Sequence, residues 1–159
     1  MKRMLYRMLI FSIAGPFLEV FIGAWVRCYL NENGNINLHG GVSLYMMPVW
    51  SLMGCLLPVI IDFTKKIRFP FLLRVLVYTV VFLAVEYFAG LFYRQLGLNI
   101  WDYSHFKYHL HGLICLEYAI PWFFVCLAAE SVYNRVDAMA WALTTRLSVK
   151  ELESRYSGR

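Results

Sequence analysis

The chain has 159 residues, 60% of them hydrophobic and only 16% charged. Soluble domains carry about a quarter charged residues, so the composition excludes an ordinary soluble domain, and the length allows a single domain. The net charge of +5 does not point to nucleic acid, because the basic residues are grouped by position along the chain.

Four apolar runs, at about 8–29, 42–63, 71–95 and 113–133, approach or exceed the roughly 20 residues that cross a bilayer. They predict an all-α integral membrane protein with four transmembrane helices. Of the 15 Lys and Arg, 12 lie at or before the start of the first run, around the junction of the second and third (Lys65, Lys66, Arg68 and Arg74), or after the fourth; Arg27, Arg94 and Lys107 are the exceptions. Basic residues mark the cytoplasmic side. Both termini are therefore expected in the cytoplasm, in a plasma membrane or a bacterial inner membrane. The first run is too long for a cleaved signal peptide and is interrupted by Glu19, so it is expected to remain as a span.

The first run carries Gly15, Glu19, Gly23 and Arg27 at a spacing of four, on one helix face. Small residues on such a face let a neighbouring helix approach closely, so the stripe should face the bundle. Pro16 should locally disrupt the helix, and Pro48 and Pro58 should bend the second span. The third run repeats the stripe as Glu86, Gly90 and Arg94, and Gly97 is placed to end it. EVFIGAWVR (Glu19 to Arg27) matches EYFAGLFYR (Glu86 to Arg94) at Glu, Phe, Gly and Arg, and LHGGVSL (from Leu38) matches LHGLICL (from Leu110). These matches predict two helical hairpins, 8–63 and 71–133, as a parallel repeat about an axis along the membrane normal. The membrane domain is then 1–133, followed by a tail at 134–159.

Between the third and fourth spans, Trp101, Tyr103, Phe106 and Tyr108 suit an interfacial aromatic belt, and Asp102 can cap a turn there. Glu117 opens the fourth span, with Pro121 one turn later. Beyond Glu130, Val132, Val136, Met139, Leu143 and Leu147 recur every three or four residues among Arg135, Asp137 and Arg146. That pattern predicts an amphipathic helix on the cytoplasmic surface. SVKE (Ser148 to Glu151) has capping-box spacing and can restart a short helix.

Glu19 lies near mid-bilayer by its distance from Arg7, and Glu86 matches it in depth. A carboxyl at that level is by default paired or functional. If spans one and three meet, the two carboxyls approach in low dielectric and share a proton. Arg27 and Arg94 sit two turns further out. Glu86, Arg94, Asp102 and Glu117 are expected in one outer polar cluster. The ligand-binding candidates are Glu19, Glu86, Arg94, Trp101, Asp102, Tyr103, Glu117 and Arg27. His39, His105, His109 and His111 do not form a metal set, and no cofactor is expected. The four cysteines lack metal-ligand spacing and read as free.

WDYS (Trp101 to Ser104), GLICLEYAIPW (Gly112 to Trp122), Glu19 and the Glu86, Gly90, Arg94, Gln95 set resemble the transmembrane protein 229 family and related bacterial ABC transporter permeases of the CmpB type. The resemblance covers roughly 10 to 135. It implies a polytopic, transporter-like membrane protein. No G-x-x-x-x-G-K-[ST] occurs in the sequence, so an ATPase would be a separate subunit. The expected function is binding or moving a small or lipid-derived ligand through a polar cavity in the outer half of the bundle. The alternatives are an intramembrane enzyme on lipid headgroups with Glu86, Glu117 and Asp102 as acid–base residues, and a non-catalytic accessory subunit. Expected partners are membrane lipids, a second copy of the chain, or a membrane or ATPase subunit, and no nucleic acid.

Overall fold

The computed structural model describes residues 1–29 and 41–145, the side chains of Arg27 and Tyr29 excepted. The SVKE segment, Leu147, His39 and the first three residues of the LHGGVSL motif lie outside the described residues. The described chain is helical, with five helices: α1 (Lys2–Tyr29), α2 (Met46–Lys66), α3 (Phe71–Gln95), α4 (Leu116–Leu127) and α5 (Ala129–Thr145). A two-residue ladder, β1 (His109–Leu110) with β2 (Ile114–Cys115), precedes α4.

The first three helices are long and apolar enough to cross a membrane. Phe17, Phe21, Phe88 and Phe92 are exposed on them, as expected of helices whose outer surface meets lipid rather than water. α1 runs unbroken through Pro16, so the expected disruption there does not interrupt the helix. α3 stops where Gly97 allows it. With Gly97 at φ +76°, its N–H donates to the Arg94 carbonyl and that of Leu98 to the Tyr93 carbonyl, the paired bonds of a Schellman end.

The fourth apolar run is not one long helix. Leu113 lies in the turn and Ile114–Cys115 in the short ladder, with Cys115 extended at φ −143°. α4 then has 12 residues, about 18 Å of rise against the roughly 30 Å of a hydrocarbon core. The Ala128 N–H turns back to the Val125 carbonyl, and the chain resumes as α5.

α1 packs along α2, α3 packs on α4, and α2 joins the two pairs; α5 folds back onto α1. The α1–α2 seam is close because two glycines permit it. A Cβ on Gly54 would stand 2.6 Å from the Met8 backbone nitrogen, and one on Gly15 would stand 2.0 Å from the Trp50 ring. At the core, Trp50, Phe82 and Trp122 meet, with ring centres 4.4–5.7 Å apart.

Ion pairs tie the end of the bundle that holds the chain's start and the α2–α3 turn. Glu130 accepts from Arg74 at 2.8 Å and Tyr78 at 2.9 Å and pairs with Lys65 at 2.9 Å. Asp137 pairs with Arg3 and Arg7. α5 presents the buried Val136 and Ala140 toward the protein, while Val132, Met139 and Leu143 stay exposed.

Candidate functional site

Gly15 and Glu19 are one turn apart on α1, and both face Trp50 of α2. Because Gly15 has no side chain, the Trp50 ring lies against the α1 backbone, and its Nε1–H reaches Glu19 Oε2 at 2.9 Å. Across the bundle, Glu86 on α3 is 4% exposed and accepts from the Tyr103 hydroxyl at 3.3 Å. Tyr103, which bonds Glu86, lines the same cavity as Glu19. Among the described residues neither acid pairs with Lys or Arg. The two carboxyls thus face tryptophan and tyrosine donors without a fixed counter-charge, an arrangement suited to a proton or a cation.

Glu19 lines a cavity of about 230 Å³ between the 41–46 segment and the 100–106 loop. Asp102 and the rings of Trp101, Tyr103, Phe106 and Tyr118 also line it, and among the described residues no Lys or Arg does; His105 is the one basic-capable group among them. Tyr103 stacks on Tyr118 with centres 5.0 Å apart. A wall of carboxylates and aromatic faces favours cations, which are drawn to the ring quadrupole.

The register of the two matching motifs explains why the cavity lies on one side. In the third span, Gly90 is covered: a Cβ there would meet Leu113 at 2.6 Å and Trp101 at 3.0 Å. The matching glycine, Gly23, meets nothing within 4 Å among the described residues and lines the cavity. Leu113, the third residue after Leu110, corresponds to Gly41, the third after Leu38. Leu113 fills the space beside Gly90, and Gly41 lies at the open cavity that Gly23 lines.

Arg94 and Asp102 form a second group. Arg94 donates to the His111 carbonyl at 2.6 Å, and its other nitrogen stands 3.9 Å from Asp102. Asp102 Oδ1 accepts from the Ser104 N–H at 2.9 Å. His111 and Gly112 both have positive φ, +52° and +67°, and the Leu113 N–H closes the turn on the Leu110 carbonyl at 3.0 Å. This is the pattern of a primed hairpin turn. A Cβ on Gly112 would meet Asp102 Oδ1 at 2.5 Å, so only glycine lets the carboxylate settle over the turn. Trp101 Nε1 donates to the Leu113 carbonyl at 2.9 Å and Tyr103 N–H to the Gly112 carbonyl at 2.8 Å.

The Ser104 N–H, helped by the Arg94 guanidinium, holds the Asp102 carboxyl below its ordinary range. Because the folded value is the lower one, the loop's anchoring is complete above the unfolded value, about 3.9. It is lost as pH falls through the depressed folded value. Trp101 emission followed from pH 6 to pH 2 should report the loop loosening at that acid limb, and Asp102→Asn should remove the limb.

The single outer cluster expected of Glu86, Arg94, Asp102 and Glu117 is therefore divided. Glu86 belongs with Glu19 and Tyr103, and Arg94 belongs with Asp102 and the turn. Glu117, in the first turn of α4, makes no hydrogen bond to the other three, and its Oε2 is buried without a partner. The Arg27 side chain lies outside the described residues. Sequence reasoning missed Trp50 as the partner of Glu19. The signal was present: counted from the LHG motifs, Trp50 and Trp122 fall at the same place. No group of three or more potential metal ligands occurs among the described residues.

No solved structure matches the chain. Residues 6–150 match the family model described as "Putative ABC-transporter type IV", of the CmpB type. With its long apolar helices, the chain is a membrane protein of transporter-like class and belongs to that family.

Proposed function

We propose that this protein binds a small cation in the cavity between its two outer loops and passes it toward the paired carboxyls, Glu19 and Glu86. The observation that carries the reading is the lining of the 230 Å³ cavity: Glu19, Asp102 and four aromatic rings, without a Lys or Arg among its described residues. Trp50 and Tyr103 orient the acids, and Trp101 holds the loop on α3. Arg94 anchors the same loop from outside the cavity rather than binding ligand. Glu117 and Arg27 have no assigned part.

In this reading α4 and the start of α5 complete a fourth crossing, and the rest of α5 lies on the cytoplasmic surface with Val132, Met139 and Leu143 toward lipid. The membrane domain is 1–133 and the tail 134–159. The ion-paired end of the bundle is cytoplasmic, which agrees with the placement of basic residues. The 8–63 and 71–133 hairpins are a parallel repeat, supported by the start of α2 at Met46 and of α4 at Leu116, within two residues of equivalence. The energy source, if ATP, resides in a partner subunit.

Two experiments test this. Tetramethylammonium titrated into the protein in nanodiscs should quench tryptophan emission saturably, whereas acetate and inorganic phosphate should not; the reverse order overturns the cation reading. Cysteines placed at Asn33 and Ser157 should label from opposite sides of the membrane; labelling from one side overturns the topology.

A further inference from the structure

A second cavity, of about 90 Å³, lies at the centre of the bundle and is almost wholly apolar. Its walls include Phe11, Leu57, Phe82, Val125 and Cys126, and both Trp50 and Trp122. Trp122 is 3% exposed, and among the described residues its Nε1–H is buried with no hydrogen-bond partner. A buried, unsatisfied donor is costly, and an apolar cavity does not hold water to satisfy it.

The two matching motifs explain the orphan. Trp50 and Trp122 are equivalent in register, as are Glu19 and Glu86, and Gly15 and Phe82. In the first hairpin Gly15 leaves space for Trp50 to lie against α1 and donate to Glu19. In the second, Phe82 occupies the equivalent position, 4.4 Å from the Trp122 ring, and Glu86 accepts from Tyr103 instead. Trp122 therefore has neither the seat nor the acceptor that Trp50 has. Trp50 is the partition between the cavities: it walls the apolar one and bonds the carboxyl that lines the polar one.

We propose that the two cavities are the halves of one site, and that its ligand is a cationic amphiphile with an ammonium head, a carbonyl oxygen and a short hydrocarbon tail. This rests on the cation reading of the Glu19 cavity. The head sits among Glu19 and the aromatic rings, the tail passes beside Trp50 into the central cavity, and the carbonyl accepts from Trp122. Ninety cubic ångströms is about three water-sized volumes, room for roughly three methylenes. Their burial raises affinity about 50-fold.

The test compares tetramethylammonium, hexyltrimethylammonium and hexanoylcholine by calorimetry on the full chain in nanodiscs, with empty nanodiscs as the reference. Hexyltrimethylammonium should bind about 50-fold tighter than tetramethylammonium, and hexanoylcholine about tenfold tighter still. Val125→Phe, which fills the central cavity, should abolish that advantage while leaving tetramethylammonium unchanged. Trp122→Phe keeps an aromatic ring and should weaken hexanoylcholine by about tenfold without affecting hexyltrimethylammonium. Equal affinity for all three probes, each weakened by Glu19→Gln, overturns the tail half and leaves the head cavity standing. Failure of tetramethylammonium itself to bind overturns both. Tight binding of hexanoylcholine that Trp122→Phe and Val125→Phe leave untouched places the tail elsewhere and also overturns the proposal.

Discussion

Glu19→Gln should weaken tetramethylammonium binding at least tenfold while leaving the fold intact. The amide oxygen of glutamine still accepts the Trp50 Nε1–H, now 2.9 Å from the carboxylate, so the α1–α2 contact survives and only the charge is removed. A cation in a cavity walled by protein loses its strongest partner, and an ion pair at low dielectric is worth well over the roughly 1.4 kcal/mol of a tenfold change. Glu86→Gln should have a smaller effect on the first binding event, because Glu86 does not line the cavity, but should alter how binding varies with pH. Tyr103 bonds Glu86 and lines the cavity, so neutralising Glu86 changes the charge felt there. Binding measured from pH 5 to pH 9 in wild type and both variants decides the matter. A wild-type affinity that is flat with pH and matched by both variants would remove the acids from the site. They would then be interhelical hydrogen-bond partners only, which Glu19→Leu, by stranding the Trp50 N–H, should destabilise.

The second large effect concerns the glycines, which are unequal in space though alike in sequence. Gly54→Ala should destabilise the bundle by about 2–3 kcal/mol, in the range of overpacked cores. Its Cβ would meet Met8 and Arg7 backbone atoms at 2.6–2.8 Å, and helix backbone cannot rotate away as a side chain can. Gly15→Ala should act differently. Its Cβ would strike the Trp50 ring at 2.0 Å, expelling Trp50 and breaking its bond to Glu19, so cation binding should fall together with stability. Gly23→Ala has open space around it and should leave stability nearly unchanged. Unfolding in mixed micelles, with tetramethylammonium titration of each variant, measures both quantities. Equal effects at Gly15 and Gly23 would refute the close-packed seam.

The sequence by itself determined the membrane character, the positions of the first three spans, the end of α3 and the family. Each is a local property. Runs of apolar residues specify helices for lipid because a helix satisfies its own backbone hydrogen bonds, and Gly97 ends α3 because its backbone adopts positive φ without strain. Sequence reasoning also singled out Glu19, Glu86, Trp101, Asp102 and Tyr103 as candidates, since carboxyls are costly within a span and aromatic residues gather at interfaces. Tertiary structure decided their grouping. Composition did not reveal that residues 113–115 leave the fourth apolar run for a hairpin, because apolar residues suit a buried turn as well as a span. Nor did it separate Arg94 and Asp102 from Glu86, or leave Glu117 apart, because those outcomes depend on how the loop folds over a glycine at φ +67°. The equivalence of Trp50 and Trp122 was in the sequence, but its consequence was not. One indole is satisfied and the other is orphaned because Gly15 faces the first and Phe82 the second, a difference that acts only when the helices pack.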